Sequence, residues 1–253
     1  MVHGFRGTHE GLDLISKELE QNFYIIVPDL PGFGDSVEFI GKPHSLDSYT
    51  VFLKEFIQSL NLPAKPVLLG HSFGSLIVSH YAAAHQDTIT KLILINPIAS
   101  PALEGSKATL SKLALLYYKI GAKLPGKAGQ AWLSAKPMVW AMSKSMTKTK
   151  DEQLVAYIDD QHYTHFSRFR TKGSVLEAFE TSISHTVGEF AKRITIPVLM
   201  IIGNKDDIGP LESQFELSKL FKRAEIQIIK DVGHLIHYEA PQKAAGYIER
   251  FSR

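Results

Sequence analysis

Pro66-Val67-Leu68-Leu69-Gly70-His71-Ser72-Phe73-Gly74 is a short apolar run that ends in a glycine-flanked serine. The stretch Ser75 to His85 then has helical character. Strand, tight turn, serine, helix is the context of a nucleophile elbow, which holds its serine in a strained turn so that Oγ stands clear at the strand end. Side chains two positions either side of the serine would collide there, which accounts for Gly70 and Gly74. The following helix directs its N-terminal N–H groups and positive dipole end at the spot where an oxyanion would form. The plainer reading is an ordinary glycine-bearing strand–helix connection.

Working outward, Phe23-Tyr24-Ile25-Ile26-Val27-Pro28 reads as a continuous apolar run, as expected of a buried parallel strand. Leu46 to Leu60 has helical period. Leu92 to Ile95, Val198 to Ile202 and Ile226 to Ile229 read as further strands. Helices are predicted near Leu211 to Phe221 and from Pro241 to Phe251, the last with Pro near its start. Repeated strand–helix units imply a parallel sheet with right-handed crossovers. Residues 98–190 break the rhythm: they hold helical stretches, interrupted at Pro101, Pro125-Gly126, Pro137 and Gly173, and no convincing strand. The expected organisation is a core of residues 1–97 and 191–253 with a helical insertion, or cap, of 98–190.

Two further signals sit just past strand ends, where groups gather in open parallel sheets. Gly203-Asn204-Lys205-Asp206-Asp207 follows the strand ending at Ile202, and Gly233-His234 follows the one ending at Ile229. Ser72, Asp206 and His234 thus occur in the order nucleophile, acid, base. The histidine would take the serine proton, and the aspartate would fix the imidazole tautomer and stabilise its cation.

These residues resemble the α/β-hydrolase superfamily, in the subgroup with a helical cap and a serine nucleophile. His3-Gly4-Phe5 is similar to that family's HG-x segment, and Asp29 to Ser36 to its D-x-x-G-x-G-x-S loop. Gly203 to Pro210 resembles its G-x-x-D-x-x-x-P segment, with Asp207 the rival of Asp206, and Gly233 to Pro241 resembles its G-H-x-x-x-x-E-x-P ending. The resemblance implies that the amides of Phe5 and Phe73 form the oxyanion hole. Ser72 separates the chain from haloalkane dehalogenases and epoxide hydrolases, which place aspartate there. Family members have two strands and most of a third before the HG segment, whereas Met1 and Val2 alone precede His3. Without the third strand Phe23–Pro28 and Pro66–Leu69 would face a gap; the expectation is an N-terminally shortened chain, and the alternative is a sheet that is reduced and re-paired.

Composition fits an enzyme: 253 residues, 44% hydrophobic and 21% charged, with no cysteine for a disulfide or thiolate site. No apolar run approaches the roughly 18 residues of a membrane span, and no signal-peptide core opens the chain, so a cytoplasmic location is the default expectation. From Gly105 to Lys150 there are nine lysines and neither acid nor arginine; since the whole chain is only +2, the rest carries a net −7. Leu110, Leu113, Leu116, Tyr117 and Ile120 fall there at helical spacing beside Lys112, Lys119 and Lys123. The favoured expectation is a solvated lysine face over an apolar face packed on the sheet domain. Attraction to anionic substrates or a membrane surface is the less favoured one.

Trp132 and Trp140 are the candidate pocket-lining residues of the cap. His162, His165, Asp159 and Asp160 match no metal-ligand spacing, and no metal, cofactor or nucleic-acid partner is expected. The function so implied is a serine hydrolase acting on a small to medium apolar ester or related carbonyl compound. The alternatives are a carbon–carbon bond hydrolase of the ring-cleavage-product type and a slow or non-catalytic ligand sensor. Nothing in the sequence fixes the oligomeric state.

Overall fold

A computed structural model describes residues 1–104 and 108–253. Four parallel strands, β1 (Val67–His71), β2 (Lys91–Ile95), β3 (Val198–Gly203) and β4 (Ala224–Ile229), lie side by side in chain order. Their apolar residues divide between two faces with period two. Leu68, Leu92, Leu94, Met200 and Ile202 face one cluster, and Leu69, Ile93, Ile95, Leu199 and Ile201 the other. Both faces are covered, which is why these strands read as unbroken apolar runs.

Helices α1 (Asp13–Leu19), α2 (Leu46–Ser59) and α3 (Phe73–His85) precede β2. The Ser45 side chain accepts from the Ser48 amide and caps α2. Between β2 and β3 run α4 (Ala108–Lys123), α5 (Gly126–Leu133), α6 (Lys136–Met146), α7 (Glu152–His165), α8 (Lys172–Ser184) and α9 (Gly188–Ala191). Pro125 stands at the start of α5 and Pro137 in the first turn of α6, so the prolines that broke the sequence pattern are helix starters. After β3 come α10 (Leu211–Leu220), α11 (Ile236–Glu239) and α12 (Pro241–Ser252).

The run Phe23–Pro28 forms no strand. Apolar character does not suffice, because a parallel strand needs a neighbour for its N–H and C=O groups. Residues 1 and 2 run beside it. The Met1 nitrogen donates to the Ile26 carbonyl at 2.6 Å. On the other side Val2 donates to Leu69 O at 2.8 Å and accepts from His71 N at 3.0 Å, a single parallel bridge to β1. Behind this stub lies an apolar cavity of about 500 Å³, walled by Phe23, Ile25, Val67, Leu69, Phe56 and Leu60. Tyr24, with nothing to pack on, is 88% exposed.

The insertion departs from expectation on its outer side. In α4 the inward residues are small or aromatic: Tyr118 is buried at 2% exposure, and a side chain at Gly121 would strike Leu133. Leu110, Leu113, Leu116 and Ile120, expected to pack on the sheet domain, face outward instead. Close approach to α5 and α8 requires the smooth Ala114–Tyr118–Gly121 side, and that turns the leucines to the surface.

Candidate active site

Ser72 occupies the turn between β1 and α3 at φ 52° and ψ −117°, a left-handed conformation that costs a non-glycine residue energy. The packing that holds it is visible at the two glycines. A side chain at Gly70 would run into the Gly74 carbonyl, and one at Gly74 into the Val2 carbonyl. The Ser72 amide donates to Ile95 O at 3.1 Å, and Ser75 Oγ donates to Ser72 O at 2.5 Å.

Ser72, Asp206 and His234 lie in different loops, and the sheet brings them together. Ser72 Oγ is 2.8 Å from His234 Nε2, and His234 Nδ1 is 2.8 Å from Asp206 Oδ2. An ionised carboxylate can only accept, so Nδ1 carries the proton and Nε2 accepts from the serine hydroxyl. The other Asp206 oxygen accepts from the Ile208 amide at 2.8 Å. Burial pushes the Asp206 carboxyl up, but the facing His234 and the amide hydrogen bonds outweigh it and hold the group below the usual carboxylate range. Asp207, one residue on, points to the insertion and binds Lys148 Nζ at 2.5 Å.

Braces that sequence reasoning missed hold this arrangement. Buried Asn96, at the end of β2, donates to the carbonyls of Gly233 and His234 at 2.9 and 3.1 Å. Its Oδ1 accepts from the Gly203 amide at 2.8 Å, so one side chain ties three strand ends. Asn follows the strand directly at φ 42°, a conformation that Asn tolerates, which is the only signal that could have marked it. Glu239 accepts from the amides of Lys148, Thr149 and Gly233, joining the His234 loop to the insertion. His71 lies against His237, 4.3 Å between ring centroids, and contacts the His234 carbonyl at 3.1 Å. Burial drives its pKa down to about 3, so it is a neutral donor.

Gly4 is pressed against the serine: a side chain there would lie 3.3 Å from Ser72 Cβ. Phe5 therefore follows directly beside the serine, and Phe73 is the first residue of α3, whose amide has no intrahelical acceptor. Arg6, at φ 59° and 1% exposed, carries its guanidinium into the insertion. It donates to Phe166 O at 2.7 Å and Leu133 O at 2.9 Å, and lies 3.4 Å from the Tyr118 hydroxyl.

A cavity of about 300 Å³ opens over Ser72. Core residues Phe5, Ile208, Leu235 and His237 line one side, and Leu110, Met142, Met146, His162 and Phe166 of the insertion line the other. Both ring nitrogens of His162 and Nδ1 of His237 are buried without a hydrogen-bond partner. Trp132 and Trp140, expected in this wall, are not in it. They are 42% and 51% exposed on the outside of α5 and α6. Trp132 is taken up by Tyr117, donating Nε1–H to its carbonyl at 3.2 Å. Asp159 is engaged by Ser143 and Lys144 at 2.8 Å each.

A family profile described as serine aminopeptidase, S33, matches residues 1–241. Lipase 1 of Psychrobacter immobilis is 25% identical over 258 residues, covering 99% of this chain and 75% of that protein. Monoacylglycerol lipase ABHD6 of Homo sapiens is 21% identical over 262 residues, covering 99% and 74%. Among solved structures, a thermophilic esterase from Thermogutta terrifontis superposes with a TM-score of 0.78 at 22% identity, over 100% of this chain and 88% of that one. A profile match over nearly the whole length, on a fold shared with an esterase, leaves one conclusion: the chain belongs to the serine aminopeptidase S33 family of α/β-hydrolases.

Proposed function

We propose that this chain is a serine hydrolase of carboxylic esters with small to medium apolar acyl groups. The observation that carries the reading is the hydrogen-bonded line Ser72–His234–Asp206, with both spacings at 2.8 Å, at the floor of a largely apolar cavity. Names among the relatives, lipase and monoacylglycerol lipase, agree with ester substrates.

In this reading the Ser72 oxygen attacks the ester carbonyl while His234 Nε2 takes its proton. Negative charge develops on the carbonyl oxygen between the amides of Phe5 and Phe73, beside the positive end of α3. Collapse of the tetrahedral species breaks the ester C–O bond. His234 gives its proton to the departing alcohol, leaving an acyl group on Ser72. Water then attacks that acyl group, again losing a proton to His234, and the acid leaves as Ser72 is restored. Asp206 holds the imidazole tautomer throughout. The insertion acts as the lid, and its cavity-facing residues select the acyl or alcohol group.

A carbon–carbon bond hydrolase could use the same three residues. Arg6 weighs against it, since such enzymes carry further glycines after the HG pair. The test is hydrolysis of p-nitrophenyl butyrate and labelling by a fluorophosphonate. The native chain should do both, and Ser72→Ala should lose labelling and about 10⁴-fold or more of the turnover number. Labelling that survives in the variant would refute the assignment. Ligand-induced thermal stabilisation without turnover would favour a sensor.

A further inference from the structure

The outer surface of α4 is apolar in a way the fold does not require. Leu110, Leu113, Leu116 and Ile120 are 67%, 58%, 53% and 39% exposed. At 3.6 residues per turn they form one stripe, and exposed Lys112, Lys119 and Lys123 run along its edge. Single exposed leucines are ordinary, but a continuous apolar stripe marks a surface that something covers. Exposed Trp132 and Trp140 and exposed Lys127 and Lys136 of α5 and α6 extend the same basic segment.

The chemistry of the stripe selects its occupant. Residues 105–150 hold nine lysines and no acid. Lys119, Lys144 and Lys148 pair with Glu180, Asp159 and Asp207, and exposed Lys112, Lys123 and Lys127 leave positive charge on this face for an anionic partner. Leucine and isoleucine beside lysine, with tryptophan close by, is what the boundary between headgroups and acyl chains takes up. The stripe is also continuous with the catalytic cavity: Leu110 belongs to both, and Ile208, 47% exposed, stands on the same cavity wall from the core. No helix among the described residues is long and apolar enough to cross a membrane.

We propose that the outer face of α4 docks on an anionic lipid surface and so sets the opening of the Ser72 cavity against it. The apolar stripe enters the interface and the lysine edge meets the headgroups. A lipid ester would then pass from the surface along Leu110 to Ser72.

Sedimentation with phospholipid vesicles tests this on the full chain carrying Ser72→Ala, which leaves the lipid intact. The protein should bind phosphatidylcholine vesicles containing phosphatidylglycerol, more weakly as salt is raised, and bind pure phosphatidylcholine far less. Leu113→Gln with Leu116→Gln should weaken binding about tenfold or more on the anionic vesicles. Lys112→Gln, Lys123→Gln and Lys127→Gln together should remove the preference for phosphatidylglycerol, about fivefold per lysine. These side chains are exposed, so thermal melting should show each variant folded. Failure of the native surface to bind anionic vesicles overturns the proposal, as does equal binding by all variants. A concentration-dependent dimer that the Leu113, Leu116 pair abolishes, without vesicle binding, would assign the face to a second copy and overturn it too. Since binding is read without turnover, its failure is separate from any failure of the esterase reading.

Discussion

The two walls of the Ser72 cavity hold their central polar groups differently. On the core side the groups around Ser72 are committed. Ser72, His234 and Asp206 are engaged with each other, Asp206 also with an amide, Asn96 with three backbone groups, and Glu239 with three more. On the insertion side His162 offers two buried nitrogens with no hydrogen-bond partner among the described residues. His237, at the border between the two, keeps one. A committed group is preorganised and sets rate, whereas an uncommitted one can answer only to what enters. The core wall should therefore govern how fast an ester is cleaved, and the insertion wall which ester.

The largest break in this contrast should come from Asp206. Asp206→Asn should lower the turnover number by about 10⁴-fold with a much milder change in KM, because the amide favours the wrong imidazole tautomer. Asp207→Asn, which loses a pairing with Lys148 at the surface, should stay within about threefold of the native rate. The reverse outcome in steady-state kinetics would transfer the role to Asp207.

On the insertion wall the effect should be smaller and selective. His162→Leu should lower kcat/KM by about tenfold for esters that carry free hydroxyls, relative to methyl esters of the same acid, because one neutral hydrogen bond is lost. His162→Gln should recover part of that ratio. Trp132→Ala and Trp140→Ala, outside the cavity, should leave the ratio unchanged. Equal losses on both ester classes in His162→Leu would show that the residue only supports the fold.

The smallest effect per group is on stability, and it is read in pH. Burial drives His71 down to about 3, His162 down to about 4, and His237 well below the ordinary histidine value of 6.5. The unfolded chain therefore binds more protons than the folded one as pH drops below 6.5. A base with a lowered folded pKa contributes stability above its unfolded pKa and loses it as pH falls towards the folded one. Each group should cost up to about 1.4 kcal/mol per pH unit in that window. Melting temperature should thus fall from pH 6.5 towards 4.5, and His162→Phe should flatten the slope. Parallel curves for the two proteins would show that His162 is protonated to the same extent in both states.

How much of this the sequence disclosed follows from the range of each interaction. Ser72, His234 and Asp206 were legible because glycines at fixed offsets and strand ends at fixed places are local marks. The four strands were legible because sheets covered on both faces leave unbroken apolar runs. Phe23–Pro28 carries the same mark and makes no strand, since pairing depends on a neighbour that composition cannot report. The outward turn of Leu113 and Leu116 was hidden for a related reason. Helical period shows that an apolar stripe exists, and only the small residues opposite it, Ala114 and Gly121, decide which side packs. Trp132 and Trp140 misled because bulk and aromaticity suit a pocket wall as well as a surface. Arg6, His162 and His237 belong to no local pattern: Arg6 and His237 meet elements more than a hundred residues away in the chain, and His162 meets Tyr238 of α11.

Arg6 has a wider consequence. Its guanidinium leaves the loop beside Ser72 and ends on the last turn of α5 and the terminal carbonyl of α7, two helix ends that need donors. Lifting the insertion as a rigid body would break both of these charge-assisted hydrogen bonds together with the packing around them. The insertion and the sheet should therefore melt as one cooperative unit, with a single calorimetric transition. Amide exchange at the ends of α5 and α7 should be as slow as in β2 and β3. Traffic through the cavity is then left to side-chain breathing at its rim, and the loop beside Ser72 senses any loosening of the helices above it.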